Sequence, residues 1–161
     1  MGYDTRVYPF AFRFDQGSGP AILYTPEDDG LDDQFDFVAL RVLWNGAQQG
    51  DNTTTLHIHT DNDGMPGHEL YPAEINVTRA DLLPNEHVID LSAVESLKEL
   101  SNNFWVWFEI LNGDNEPSVV GNDELLSEGH YFGYDGEDLS DRNFDFQIHP
   151  VLMPAGADWT M

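Results

Sequence analysis

Apolar and polar side chains alternate with a period of two along much of this chain. Phe10, Phe12 and Phe14 alternate with Ala11 and Arg13, and Leu56 and Ile58 with His57 and His59. Phe104, Val106, Phe108 and Ile110 alternate with Trp105, Trp107 and Glu109, and Phe144, Phe146 and Ile148 with Asp145, Gln147 and His149. Successive side chains of a strand point to opposite faces, so each run predicts a strand. From Phe35 to Trp44 both phases are apolar: Phe35, Phe37 and Ala39 fall on one face, Val38, Leu40 and Val42 on the other. That strand is expected to be covered on both sides. Clusters of Gly, Asn, Asp and Pro separate the runs. Short alternating segments punctuated in this way predict an all-β fold, an antiparallel β-sandwich or jelly roll, as one domain over residues 1–161.

Two stretches depart from simple strand alternation. Residues 57–70 run from a strand into an Asp-rich segment in which Asp63-Gly64 and Pro66-Gly67 are both turn dipeptides. Gly takes positive φ without steric cost and Pro fixes its own φ, so a hairpin with a double turn is predicted. Ser92-Ala93-Val94-Glu95 has the spacing of a capping box, and Val94, Leu97 and Leu100 give a short apolar stripe. One short helix ending near Leu100 is expected to close an end of the sandwich. Glu27 to Asp33 and Gly113 to Pro117 read as exposed loops.

Composition sharpens this picture. The 161 residues are 40% apolar and include 10 Phe, 6 Tyr and 4 Trp, which supports a real core and argues against disorder. The 30 acidic residues face only 6 basic ones, Lys98 being the sole lysine, for a net charge of −24. Such a surface repels itself at low salt, and screening relieves it as the Debye length falls to roughly 3 Å near 1 M. A saline or calcium-rich setting suits it. It lacks the basic footprint that nucleic acid requires. Cysteine is absent, which excludes disulfides, thiol chemistry and Cys-type zinc sites. No apolar run approaches the ~20 residues of a membrane span. No signal segment opens the sequence, which suits either a protein that stays inside the cell or a processed or excised piece of an exported one; the expected location is outside the cell or at its surface, with a virion as the alternative.

Seven motifs follow one another in order: Tyr3-Asp4, Leu40-Arg41-Val42, Asp61 to Leu70, Phe104 to Glu109, Gly121-Asn122-Asp123, His130-Tyr131-Phe132 and Asn143 to Val151. Together they resemble a β-sandwich accessory module of secreted bacterial and archaeal proteins. This is the type with an Asp-rich turn and Gly-x-Pro-Gly, found beside peptidases and sorting domains. Gly129-His130-Tyr131 departs from the Gly-Arg-Ser-Tyr of that pattern, and its Trp is missing near Asp135 to Asp138. The resemblance implies a non-catalytic accessory or structural role and names no ligand.

Several residue groups are candidates for chemistry. Asp61, Asp63 and Glu69 offer hard oxygens beside a glycine turn, which makes calcium the candidate cofactor. Their spacing is not that of an EF-hand, and the same acids suit a loop whose side chains cap backbone amides. Asp135, Glu137, Asp138 and Asp141 form a second acidic group, and Asp28, Asp29, Asp32 and Asp33 a third, both read as solvated loops. His57 and His59 share a strand face at a metal-ligand spacing and need a third ligand from His68, His87 or an acid. With Leu56 and Ile58 facing the core, both histidines are expected at the surface. Trp105 and Trp107 share one face of a strand: exposed, they make a stacking platform for sugar rings; covered, they are core or partner contact. Asn52-Thr53-Thr54 and Asn76-Val77-Thr78 match the glycosylation acceptor pattern.

The sequence holds no Gly-x-Ser-x-Gly elbow, no His-Glu-x-x-His and no Cys nucleophile. The expected function is a non-catalytic extracellular module for adhesion, surface assembly or accessory ligand binding, with a protein or a glycan as partner and calcium as stabiliser. One alternative is a structural subunit of a surface filament, layer or viral coat. It would bind copies of itself through the aromatic residues 3–14 or 144–152. The other is a hydrolase.

Overall fold

The computed structural model describes residues 10–12, 14–25, 34–46, 51–78, 81, 86–111, 117–122, 131–141 and 145–156. The strands in chain order begin with β1 (Phe10–Phe12), β2 (Gly19–Tyr24), β3 (Phe35–Val42), β4 (Trp44–Gly46), β5 (Asp51–Asn62), β6 (Met65–Thr78) and β7 (His87–Asp90); of these, β1, β3 and β5 carry predicted period-two runs. β8 (Phe104–Ile110), β9 (Ser118–Asn122), β10 (Tyr131–Tyr134), β11 (Leu139–Asp141), β12 (Asp145–Phe146) and β13 (Ile148–Pro154) complete the series. Every pairing among the described residues is antiparallel, and the strands form an all-β sandwich. One layer is a six-stranded sheet in the order β11-β10-β2-β8-β5-β6. Facing it are the three-stranded β13-β3-β7 and a four-stranded sheet in which β9 pairs with β1, β12 and β4. Leu43 links β3 to β4 and Gln147 links β12 to β13. The Leu43 amide donates to the Gln147 carbonyl at 3.0 Å, which joins the two smaller sheets side by side.

The main core lies between the layers. Phe35, Phe37, Leu40 and Val42 of β3 meet Leu56 and Ile58 of β5 and Phe104, Val106, Phe108 and Ile110 of β8. Phe37 packs on Phe104 at 5.0 Å between ring centroids, and Trp44 meets Phe108 edge-on, also at 5.0 Å. Close approach of the backbones is needed at one end of β2. A Cβ on Gly19 would stand 1.5 Å from the Phe108 carbonyl oxygen, so no other residue fits there without moving the strand.

β3 corrects the expectation of two separate apolar faces. Ala39 pairs with Val151 and Phe37 with Leu152, which leaves Val38 as an extra residue in the strand. A bulge of this kind reverses the alternation. Phe35 and Phe37 before it, and Leu40 and Val42 after it, therefore face the same core. Ala39 and Val38 are buried as well, so the strand is covered throughout.

The expected helix is also corrected. No α-helix occurs among the described residues; Glu95–Leu97 is a single 3-10 turn with Val94 at its N-cap and no side-chain cap. Asp90 takes both the Ser92 amide (2.9 Å) and the Ser92 hydroxyl (2.6 Å), which removes Ser92 from the capping box. Glu99 then adopts positive φ, its amide donates to Asp36, and Leu100 bridges to Phe35. The apolar stripe still packs: Leu97 is buried, and Val94 and Leu100 lie against the core. Of the expected loops, 27–33 and 113–116 lie outside the described residues, and Pro117 is buried.

His149 of β13 pairs across to Arg41, which forms an ion pair with Glu86. Burial, reinforced by the Arg41 charge and opposed by Glu86, lowers the His149 pKa to about 4. The folded state therefore holds this imidazole neutral, whereas the unfolded chain protonates it below its ordinary value. The unfolded state binds the extra proton between those limits, so this contribution is complete above about pH 6.5 and is lost as the pH falls to about 4. Burial lowers the His87 pKa in the same direction, against the pull of Asp81. His149→Gln is expected to flatten the acid limb of a stability-versus-pH curve by up to about 3 kcal/mol. Urea unfolding of both proteins at matched salt measures this, and parallel acid limbs would contradict it.

Candidate functional site on the outer face of the large sheet

The outer face of the six-stranded sheet carries the candidate residues. β8 sits between β2 and β5, with Trp107 paired to Ala21 and His57, and Trp105 to Leu23 and His59. Period two sends both indoles away from the main core, yet Trp105 is 0% and Trp107 4% exposed. They form a second apolar cluster with Ala21 and Tyr134, against which Leu23, Phe132 and Leu139 pack. Phe132 covers Trp105 at 5.2 Å and Tyr134 meets Trp107 edge-on at 4.8 Å. Of the readings open for these residues, the burial fits core rather than platform: side chains of the same sheet lie against the faces a sugar ring would need.

Burying an indole leaves its N–H in need of an acceptor. Trp105 Nε1 donates to Asp61 Oδ1 at 2.9 Å, and Trp107 Nε1 donates to His59 Nε2 at 3.1 Å. His59 Nε2 is therefore the accepting nitrogen, and Nδ1 carries the proton toward the Gly67 carbonyl at 3.0 Å. His57 stacks flat on Trp107, with 4.5 Å between ring centroids and 14° between planes. Its Nδ1 lies 2.6 Å from Glu69 Oε1 and its Nε2 2.9 Å from Glu109 Oε1. Both histidines are thus half-buried and fully hydrogen-bonded rather than loose at the surface.

The β5–β6 hairpin sets these positions. Asp63 (φ 50°) and Gly64 (φ 85°) both take positive φ, as a tight two-residue hairpin turn requires, and Asp61 Oδ1 also accepts the Gly64 amide at 3.0 Å. Only this first dipeptide turns the chain. Pro66-Gly67 lies inside β6, where the ladder shifts register twice: Ile58 pairs with Tyr71, His59 with Glu69 and Asp61 with Pro66. The shift at Leu70 lets Leu70 and Tyr71 both pack on the main core and brings Glu69 to the histidine face. Gly67 is needed because a Cβ there would come 2.9 Å from Thr60 Oγ1.

The sequence-derived metal sets divide accordingly. Among the described residues, the acids and histidines whose ligand atoms converge are His57, His59 and Glu69, within 4.8 Å of one another. Asp61, Asp63 and Glu69 are not brought together as a set: Asp61 serves Trp105 and the turn, and Asp63 is in the turn itself. Glu69 is the acid that joins the histidines. His68 is exposed on β6, and His87 Nδ1 accepts the Trp44 indole at 3.2 Å. Glu109 escaped the sequence reading; its position at the outer phase of β8 was the available signal.

The second acidic group borders a cavity of about 470 Å³ lined by Phe14, Asp15, Gln16, Tyr134, Asp135 and Asp138, among others. Asp135 accepts the Glu137 and Asp138 amides at 2.9 and 2.7 Å, a turn of its own. These bonds, Asp138 foremost, hold its carboxyl below the ordinary range. Burial, with Asp135 and Glu137 nearby, raises the Tyr134 phenol. Asp28, Asp29, Asp32 and Asp33 lie outside the described residues. Thr54 of the first glycosylation pattern is buried, and its hydroxyl donates to the Glu109 carbonyl at 2.7 Å.

Comparison with protein-family models, with curated proteins and with solved structures finds no match to this chain. Because the two tryptophans are core, Trp107→Ala is expected to lower the unfolding free energy by about 3–5 kcal/mol. Urea titration followed by circular dichroism measures it, and an unchanged midpoint would restore the platform.

Proposed function

We propose that the chain is a non-catalytic, extracellular β-sandwich module for adhesion, surface assembly or accessory ligand binding. The observation that carries this reading is the saturation of the outer face. Asp61, His57, His59, Glu69 and Glu109 are tied to one another, to an indole or to the hairpin backbone. Groups committed in this way hold a surface rigid and preorganised, which favours recognition over proton transfer. The resemblance to secreted accessory modules supports the same reading. Of its motifs, Leu40-Arg41-Val42 lies in β3, Asp61 to Leu70 in the hairpin and Phe104 to Glu109 in β8, all parts of the scaffold.

A structural subunit of a filament, layer or coat is the second reading. It draws on the free margin of the large sheet: among the described residues, β6 pairs with β5 alone. Pro66, Glu69, Pro72 and Glu74 lie along that strand, and proline and charge are devices that block edge-to-edge pairing. This weighs toward the module. No helix among the described residues is long and apolar enough to cross a membrane.

With 30 acidic residues against 6 basic ones, cations stabilise the module by screening, calcium among them. Light scattering with electron imaging tests the reading at low salt, in high sodium chloride, and in calcium chloride of matched ionic strength. A monomer throughout is expected, with the melting temperature rising with ionic strength. Ordered assemblies appearing with salt or calcium would contradict the module and support the subunit. A melting temperature higher in calcium than in sodium at equal ionic strength would identify a bound calcium.

A further inference from the structure

We propose that His57, His59 and Glu69 bind a divalent transition-metal ion, zinc first among them, on the outer face of the six-stranded sheet. The three ligand atoms lie within 4.8 Å of one another. With metal–ligand bonds of about 2.0–2.2 Å, tetrahedral zinc holds its ligands roughly 3.3 Å apart. The ligand atoms must therefore draw together by up to about 1.5 Å to close on the ion. The backbone has done the rest: strand alternation aligns the histidines, and the register shift at Leu70 places Glu69 opposite His59.

The surrounding bonds have the form that orients metal-binding imidazoles. A ligating histidine commonly gives its other N–H to a carboxylate or a backbone carbonyl, which fixes the ring and its tautomer. Here Glu109 Oε1 sits 2.9 Å from His57 Nε2, which leaves Nδ1 turned toward Glu69. The Gly67 carbonyl takes His59 Nδ1, which leaves the Nε2 lone pair as the donor. That lone pair now accepts the Trp107 indole, so metal binding takes the acceptor from a buried N–H, a cost that the metal–ligand bonds must exceed. Glu69 is 36% exposed, which gives the ion a route from solvent, and water completes the coordination.

The ligand chemistry selects the metal. Calcium takes 6–8 oxygen ligands. Two imidazole nitrogens and one carboxylate instead suit zinc, with copper and nickel as competitors. The overall negative charge raises the local concentration of any divalent cation without choosing among them.

The test is a zinc chloride titration of the full chain in high sodium chloride, which suppresses diffuse binding to acids. It is read by calorimetry and by tryptophan fluorescence. One zinc per chain is expected, with a fluorescence change and no competition from equimolar calcium. Glu69→Gln and His57→Gln, each checked for an unchanged circular dichroism spectrum, are expected to weaken zinc binding at least tenfold. Asp63→Asn, an acid outside the set, is expected to leave it unchanged. Should one glutamine variant not fold, the other carries the comparison. Cobalt in place of zinc is expected to give the visible absorption of a four-coordinate site. Equal zinc affinity in a folded glutamine variant, an equal loss in Asp63→Asn, or displacement of zinc by equimolar calcium would overturn the proposal.

Discussion

The structure depends on burying both faces of one strand. β8 runs through the interior of the large sheet, its Phe104, Val106, Phe108 and Ile110 pointing into the main core and Trp105 and Trp107 pointing the other way. Water cannot be left against two indoles at the centre of a sheet without forfeiting a large apolar contribution, roughly 25 cal/mol per Å². The outer face therefore acquires an apolar layer of its own, built from Ala21, Leu23, Phe132, Tyr134 and Leu139 on the β2 side.

On the β5 side the cover is polar, and here the chemistry arises. Each buried indole N–H needs an acceptor, and β5 supplies Asp61 and His59 at the two required positions. His59 must then be held in one tautomer, which the Gly67 carbonyl does, and His57 closes over Trp107 between two carboxylates. The hairpin serves as a fastener for the aromatic layer. A surface of hydrogen-bonded imidazoles and carboxylates follows from sealing tryptophan.

Much of this was legible in the sequence. The alternation at Phe104 to Ile110, at Leu56 to His59 and at Phe35 to Trp44 locates the three central strands, and Asp63-Gly64 locates the hairpin turn. What escaped depends on register. A bulge shifts phase by one residue, and nothing in the residue types at Val38 or Leu70 announces it. The face shared by Phe37 and Leu40, and the meeting of Glu69 with His57, therefore appear only once strands are paired. Ser92 misled for a related reason: Asp90, two residues upstream, competes for the same hydroxyl and amide. The choice between core and platform for the tryptophans is not readable from residue types because it turns on strand order, here the placing of β2 and β10 beyond β8.

Hydrogen exchange at the indole N–H groups tests this account most directly, since it asks whether the outer layer is sealed. Nuclear magnetic resonance resolves the tryptophan indole protons individually, and both Trp105 and Trp107 accept cover and bonding in the fold described here. The account predicts that these two protons exchange as slowly as the backbone amides of β8, opening only with global unfolding. Exchange at the rate of a solvent-exposed indole, while the β8 amides stay protected, would show an uncovered aromatic face and contradict it.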